Sequence, residues 1–233
     1  MKIDNRYERQ TALPEIGPEG QERLSRARVL IVGVGGLGCP AALYLAAAGV
    51  GTLVLVDDDT VSPTNLHRQV LYTEADLGKP KVLCAAQRLR QLNGEIRIEI
   101  NPCRLTDRNA SALLKGCDLV LDGTDNYATR YLLDKECARA HVPYIYGAVH
   151  GLEGQVSVLH AGPHPRSYRD LYPDEEAMRA QSPDPSILGV TPAIVGSVQA
   201  SEALKLLAGY GEPLYGRLWT IDLRTLNIHT LNF

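Results

Sequence analysis

The turn Gly33-Val34-Gly35-Gly36-Leu37-Gly38 stands between a β-branched run and an Ala-rich helical stretch, and Asp57 closes the next apolar run. Glycines at these spacings allow a tight turn, close approach of backbone to phosphate and a helix N-terminus aimed at negative charge. Asp57 falls where a carboxylate takes ribose hydroxyls. On this motif alone the site binds a nucleotide, and an NAD(P)-dependent oxidoreductase is the ordinary reading. The residues that follow shift it. Asp57-Asp58-Asp59 leads to Asn65-Leu66-His67-Arg68-Gln69, and Gly78-Lys79-Pro80-Lys81 sets two lysines at a helix start. Hydride transfer has little use for cations near the far phosphates, whereas cleavage of a triphosphate needs them to offset developing charge. Asp122-Gly123-Thr124-Asp125-Asn126 ends a third strand. There Asp125 can reach a magnesium ion on the phosphates, or cap the helix that follows, or do both.

These residues need a scaffold, and the chain supplies an alternating one. Strands are expected at Arg28–Val32, Thr52–Val56, Arg97–Asn101, Leu119–Leu121, Tyr144–Val149 and Gly154–Leu159. Between them Leu37–Ala48, Lys79–Leu92, Asp107–Leu114 and Asn126–Ala140 read as helices. That order predicts βα units around a parallel sheet. Residues 161–186 carry Pro163, Pro165, Pro173, Pro183 and Pro185 and read as irregular. Thr191 then caps a helix over Pro192–Leu207 with proline at its first position, and Arg217–Leu223 with Leu226–Leu231 forms a hairpin. The expectation is one α/β domain over residues 1–233. Its Rossmann-like nucleotide half spans 1–150, and its mostly parallel sheet continues into a mixed or antiparallel half at 151–233.

Bulk properties narrow the class. At 233 residues the chain can bury one full core, and 45% hydrophobic with 22% charged residues is an ordinary globular balance. A net charge of −3 argues against nucleic acid as a partner. The N-terminus has no signal-peptide core, and the apolar helix Pro192–Leu207 carries Gln199, Glu202 and Lys205, too polar and short for a bilayer. Five cysteines, Cys39, Cys84, Cys103, Cys117 and Cys137, are scattered without a Cys-x-x-Cys pair. They read as buried structural thiols in a cytoplasmic protein.

Taken together, Arg9-Gln10, the Gly-Gly-Leu-Gly turn, Asn65-Leu66-x-Arg68-Gln69, Gly78-Lys79-Pro80-Lys81 and Asp122-Gly123-Thr124-Asp125-Asn126 resemble the ThiF/HesA/MoeB family, the bacterial relatives of ubiquitin-activating enzymes. The resemblance runs from Arg6 into the helix holding Lys205. It implies an adenylyltransferase that uses ATP and Mg²⁺ on the terminal glycine carboxylate of a ubiquitin-like sulfur carrier ending in Gly-Gly. Gly33, Gly35, Gly36 and Gly38 would line the phosphates and Asp57 the ribose, with Asp59 and Gln69 beside them. Asn65, Arg68 and Lys81 would neutralise the triphosphate, and Asp125 would hold magnesium. Arg9 would reach the site of the other subunit of a homodimer. The catalytic set is then Arg9, Arg68, Lys81 and Asp125. A non-catalytic docking relative would have lost some of these residues.

Two departures qualify the resemblance. Where many members hold zinc with two Cys-x-x-Cys pairs, the first pair falls here on Ser167 and Asp170, and Leu231-Asn232-Phe233 ends the chain without the second. No structural zinc is expected. Where some members place a cysteine that joins the carrier, this chain has Ser182, so no covalent carrier adduct is expected and sulfur would come from a separate donor.

Overall fold

Arg28–Val32 reads RVLIV, and its last four residues are buried. Such a run, apolar on both faces, belongs inside a sheet covered by helices on both sides. The computed structural model describes residues 6–181 and 186–233 and shows that arrangement. In chain order the strands are β1 (Arg28–Val32), β2 (Thr52–Val56), β3 (Arg97–Asn101), β4 (Leu119–Asp122), β5 (Tyr144–His150), β6 (Glu153–Leu159), β7 (Arg217–Asp222) and β8 (Asn227–Asn232). The helices are α1 (Glu8–Thr11), α2 (Gly17–Arg26), α3 (Gly38–Ala47), α4 (Lys81–Leu92), α5 (Ala110–Leu114), α6 (Tyr127–Ala140), α7 (Tyr168–Leu171), α8 (Glu175–Ala180) and α9 (Val190–Ala208).

All eight strands form one sheet in the order β3-β2-β1-β4-β5-β6-β7-β8. The first five are parallel, and β6, β7 and β8 continue it antiparallel. The chain winds outward from β1 to β3, then returns to β4 and winds the other way. That reversal opens a crevice above the C-terminal ends of β1 and β4, where α/β sheets take their ligands.

Alternation along each strand splits the core in two. Val29 and Ile31 face a cluster with Leu24, Leu45, Val82 and Val195, which belong to α2, α3, α4 and α9. Leu30 and Val32 face Leu114, Tyr131 and Tyr168, on α5, α6 and α7. Leu45 is fully buried, and truncating such a leucine to alanine costs roughly 2–5 kcal/mol. Across the strands, Arg28 grips Glu99 with two parallel hydrogen bonds of 2.8 and 2.7 Å, bracing β1 against β3.

Most expected elements appear within a residue or two. Several details are corrected. The segment read as irregular holds α7 and α8. The last long helix starts at Val190 with Gly189 at its cap; Thr191 lies inside the first turn and donates to Gly151 O (3.0 Å). The helix expected from Asp107 starts only at Ala110. Two N-terminal helices, α1 and α2, were not anticipated. Arg23 of α2 donates to Ala208 O (3.0 Å), closing the C-terminal end of α9. Among the described residues no helix is long and apolar enough to cross a membrane.

Candidate active site

Gly33 follows β1 directly, donates to Val56 O (2.8 Å) and turns the chain at φ +85°. A Cβ there would stand 2.6 Å from Gly123 O, and one on Gly38 would stand 2.0 Å from Gly33 O. The two turns after β1 and β4 therefore touch through bare backbone. Gly33, Gly35 and Gly36 line the crevice, while Gly38 is buried against Gly33 and serves packing. Beside them Asp57 accepts from Val34 N (2.8 Å) and Asp59 N (2.9 Å). Burial raises the Asp57 carboxyl above its usual range, against the lowering effect of those two backbone donors. A carboxylate offers about four acceptor sites, so lone pairs remain for sugar hydroxyls.

The cations gather at the same end. Lys81 opens α4, is buried, and pairs its ammonium with Asp59 at 2.9 Å. Arg68 lines the crevice half-buried, its Nη1 donating to Thr64 O (2.8 Å). Gln69 is buried, and its Oε1 has no hydrogen-bond partner among the described residues. Asn65 stands apart: its Oδ1 accepts from Ser62 N (3.1 Å), capping the turn Pro63–Asn65, and it does not line the crevice.

Asp125 is exposed at the rim, with no hydrogen bond or ion pair among the described residues. Helix capping falls to its neighbour, as Asn126 Oδ1 accepts from Thr129 N (2.9 Å). Asp122 lies beneath, fully buried, accepting from Thr124 N, Thr124 Oγ1 and Tyr144 Oη at 2.9, 2.6 and 2.7 Å. Carboxylate oxygens suit a hard cation, and both Asp125 and the Asp57-Asp58-Asp59 group, whose oxygens lie within 4.8 Å of one another, offer them.

Several lining residues are not singled out by the sequence, among them Arg130, Tyr146, Gln155, Tyr172, Thr220 and His229. The Arg130 guanidinium stands 5.6 Å from the ring centres of both Tyr127 and Tyr146. With them the cavity reaches about 1110 Å³ and runs from the glycine turn across the antiparallel strands to Asn227 and His229. That exceeds what a nucleotide-sized ligand alone needs.

Other expected positions lie elsewhere. Arg9, on α1, is exposed and outside the crevice. Ser167 and Asp170 form a capping box at the start of α7, with Ser167 N and Oγ both donating to Asp170 Oδ2 (2.7 and 2.9 Å). His160 pairs with Asp134 (2.7 Å). Ser182 lies outside the described residues. Cys39, Cys84, Cys117 and Cys137 are buried, and burial pushes the Cys39 thiol up to about 12. Cys103 is half-buried and touches the crevice.

The chain is 46% identical over 227 residues to a sulfur carrier protein adenylyltransferase of Thermus thermophilus, covering 94% of this chain and 83% of that one. It is 42% identical over 231 residues to the SAMP-activating enzyme E1 of Haloferax volcanii, covering 98% and 85%. Among solved structures, E. coli MccB with ATP matches with a TM-score of 0.84 at 25% identity, over 98% of this chain and 71% of that one. The oxidoreductase reading that the glycine turn alone allows is thereby set aside. The ThiF family model matches residues 7–233, and the chain belongs to the ThiF family of adenylyltransferases.

Proposed function

We propose that this enzyme adenylates the C-terminal glycine carboxylate of a ubiquitin-like sulfur-carrier protein. One observation carries the reading: a single cavity of about 1110 Å³ runs from the glycine turn, with Lys81 and Arg68, to the antiparallel strands, more room than a nucleotide alone needs. The relatives named for sulfur carriers and for SAMP activation support it.

The chemistry needs no catalytic base. A terminal carboxylate is already ionised near neutral pH. Its oxygen attacks the α-phosphorus of ATP, the bond from that phosphorus to the bridging oxygen breaks, and pyrophosphate leaves with the electron pair. The products are an acyl-adenylate and pyrophosphate, and no proton moves. Gly35 and Gly36 present backbone to the phosphates, Lys81 and Arg68 offset their charge, and Asp57 orients the ribose. Asp125 would hold Mg²⁺, which when bound neutralises phosphate charge. Arg9 acts from the second subunit of a homodimer. Sulfur then comes from a separate donor, and the scattered thiols fit a reducing cytoplasm.

The test is exchange of labelled pyrophosphate into ATP, with magnesium and a carrier ending in Gly-Gly. Lys81→Ala and Asp125→Ala should each abolish exchange while keeping the fold. Exchange surviving both would refute the assignment.

A further inference from the structure

Strand pairing sets Ala148, Gln155, Thr220 and His229 directly opposite one another on β5, β6, β7 and β8. All four line the cleft, so they form a straight row across the antiparallel half, starting near the β4 end that holds Asp125. Three strand spacings make the row about 14 Å long, the span of roughly four extended residues. A second row, one side-chain step nearer the β5–β6 turn, carries Glu153 and Asp222, both bound by Arg224. The inner row holds no Lys, Arg, Asp or Glu. Its chemistry suits the neutral backbone of a peptide better than a phosphate chain.

The inner end of the row is built for backbone contact. Gln155 Nε2 donates to the hydroxyls of Tyr146 (2.7 Å) and Tyr172 (2.6 Å). Among the described residues this leaves the amide oxygen without a donor, and at least one phenolic O–H without an acceptor. An extended peptide presents the matching N–H and C=O groups. The Tyr172 ring packs against the rings of Tyr168 and Tyr146, with centroids 5.0 and 6.4 Å away, and its backbone carbonyl accepts from Tyr131 Oη (2.8 Å) on α6. Arg130 stacks behind Tyr146 at 5.6 Å. The groups are held in place before any ligand arrives, which lowers the entropy lost on binding.

We propose that Gln155, with Tyr146 and Tyr172, reads the backbone of the substrate's C-terminal tail, and that Thr220 and His229 continue the track on which the tail lies extended across the strands. The inference rests on the adenylation reading and adds the residues that select the second substrate. These are specificity residues. They touch the tail at a distance from the reacting carboxylate and do not touch ATP.

The test uses the full-length enzyme and a fluorescein-labelled peptide of about eight residues ending in Gly-Gly, long enough to fill the row. Anisotropy without nucleotide gives the peptide Kd, and calorimetry gives the ATP Kd. Gln155→Ala should weaken peptide binding about tenfold, and Thr220→Val and His229→Ala about threefold each, with ATP affinity within about twofold. Thr220 and His229 have no side-chain hydrogen bond among the described residues, so these two variants should fold even if Gln155→Ala does not. Peptide affinity within about twofold of wild type in all folded variants, or an equal loss for ATP, would overturn the track. Carrier-dependent pyrophosphate exchange by the wild type with unchanged peptide binding in the variants would sink this inference and leave the adenylation reading standing. Lost peptide binding in the variants, with no exchange by the wild type, would do the reverse.

Discussion

Lys81 and Asp59 are joined twice: the ammonium meets the carboxylate at 2.9 Å, and the Lys81 main-chain N–H donates to the Asp59 carbonyl at 2.9 Å. The lysine side chain is 6% exposed and the aspartate 68%. A triphosphate that approaches the ammonium meets the Asp59 carboxylate as a competitor for its three N–H donors, while the backbone link keeps the lysine in place. Asp59→Asn should therefore lower the melting temperature without nucleotide, since a mostly buried ammonium loses its counter-ion at a cost of about 1–2 kcal/mol. The same variant should show a larger ATP-induced rise in Tm than the wild type, because nothing competes for Lys81. Thermal scans with and without ATP check both signs, and an unchanged ATP-induced rise would count against the competition.

Glu99 gives a pH test away from the site. Its hydrogen bonds with Arg28 hold the carboxyl below the usual range. The folded pKa is depressed, so the stabilisation is present above the unfolded value of about 4.3 and is lost as pH falls through the folded value. Glu99→Gln should destabilise by on the order of 0.5 kcal/mol at pH 7, as expected for a pair open to water. The difference should fade below the usual carboxylate range. Urea unfolding across that range measures it; a difference that grew on acidification would give the wrong sign.

Arg9 lies outside the crevice of its own chain. If it completes the site of a second copy, Arg9→Ala and Lys81→Ala enzymes are each inactive alone. After subunit exchange the mixture should recover activity, since one site in each hybrid holds both residues. A quarter of wild-type exchange activity is about the ceiling for random mixing. A monomer by light scattering would refute the shared site.

Ser167 and Asp170, on which the family resemblance would place the first zinc-binding cysteine pair, form a capping box instead. Purified protein should contain no stoichiometric zinc, and a chelator should leave its Tm unchanged. Asp170→Ala should cost about 1 kcal/mol, or about 2–4 °C at this chain length. Elemental analysis finding one zinc per chain would overturn the assignment.

The parallel strands were legible because strands buried on both faces are written as continuous β-branched runs, as in Arg28–Val32 and Thr52–Val56. Helix α2 was not: Gly17, Pro18 and Gly20 break its local signal, and its place comes from packing on α9. The nucleotide end was legible through motif residues close in sequence. Orientation was not, so Asn65 appears as a turn cap where a phosphate ligand was expected. Gln155 and Thr220 were hidden for another reason. Alternation shows which residues of one strand share a face, but the register between β6 and β7 is set by tertiary pairing.

The unbroken hydrogen-bonded sheet from β1 to β8 also makes the enzyme a ruler. The glycine turn after β1 and the row from Ala148 to His229 belong to one plate, so the spacing between the two substrates is fixed by the backbone ladder. Along the sheet the two are joined by strand pairing throughout, with no break from β1 to β8 among the described residues. The tail is measured against that plate. A tail shorter by one residue between its anchor and its carboxylate would fall about 3.4 Å short of the α-phosphorus, too far for an attack that tolerates well under 1 Å.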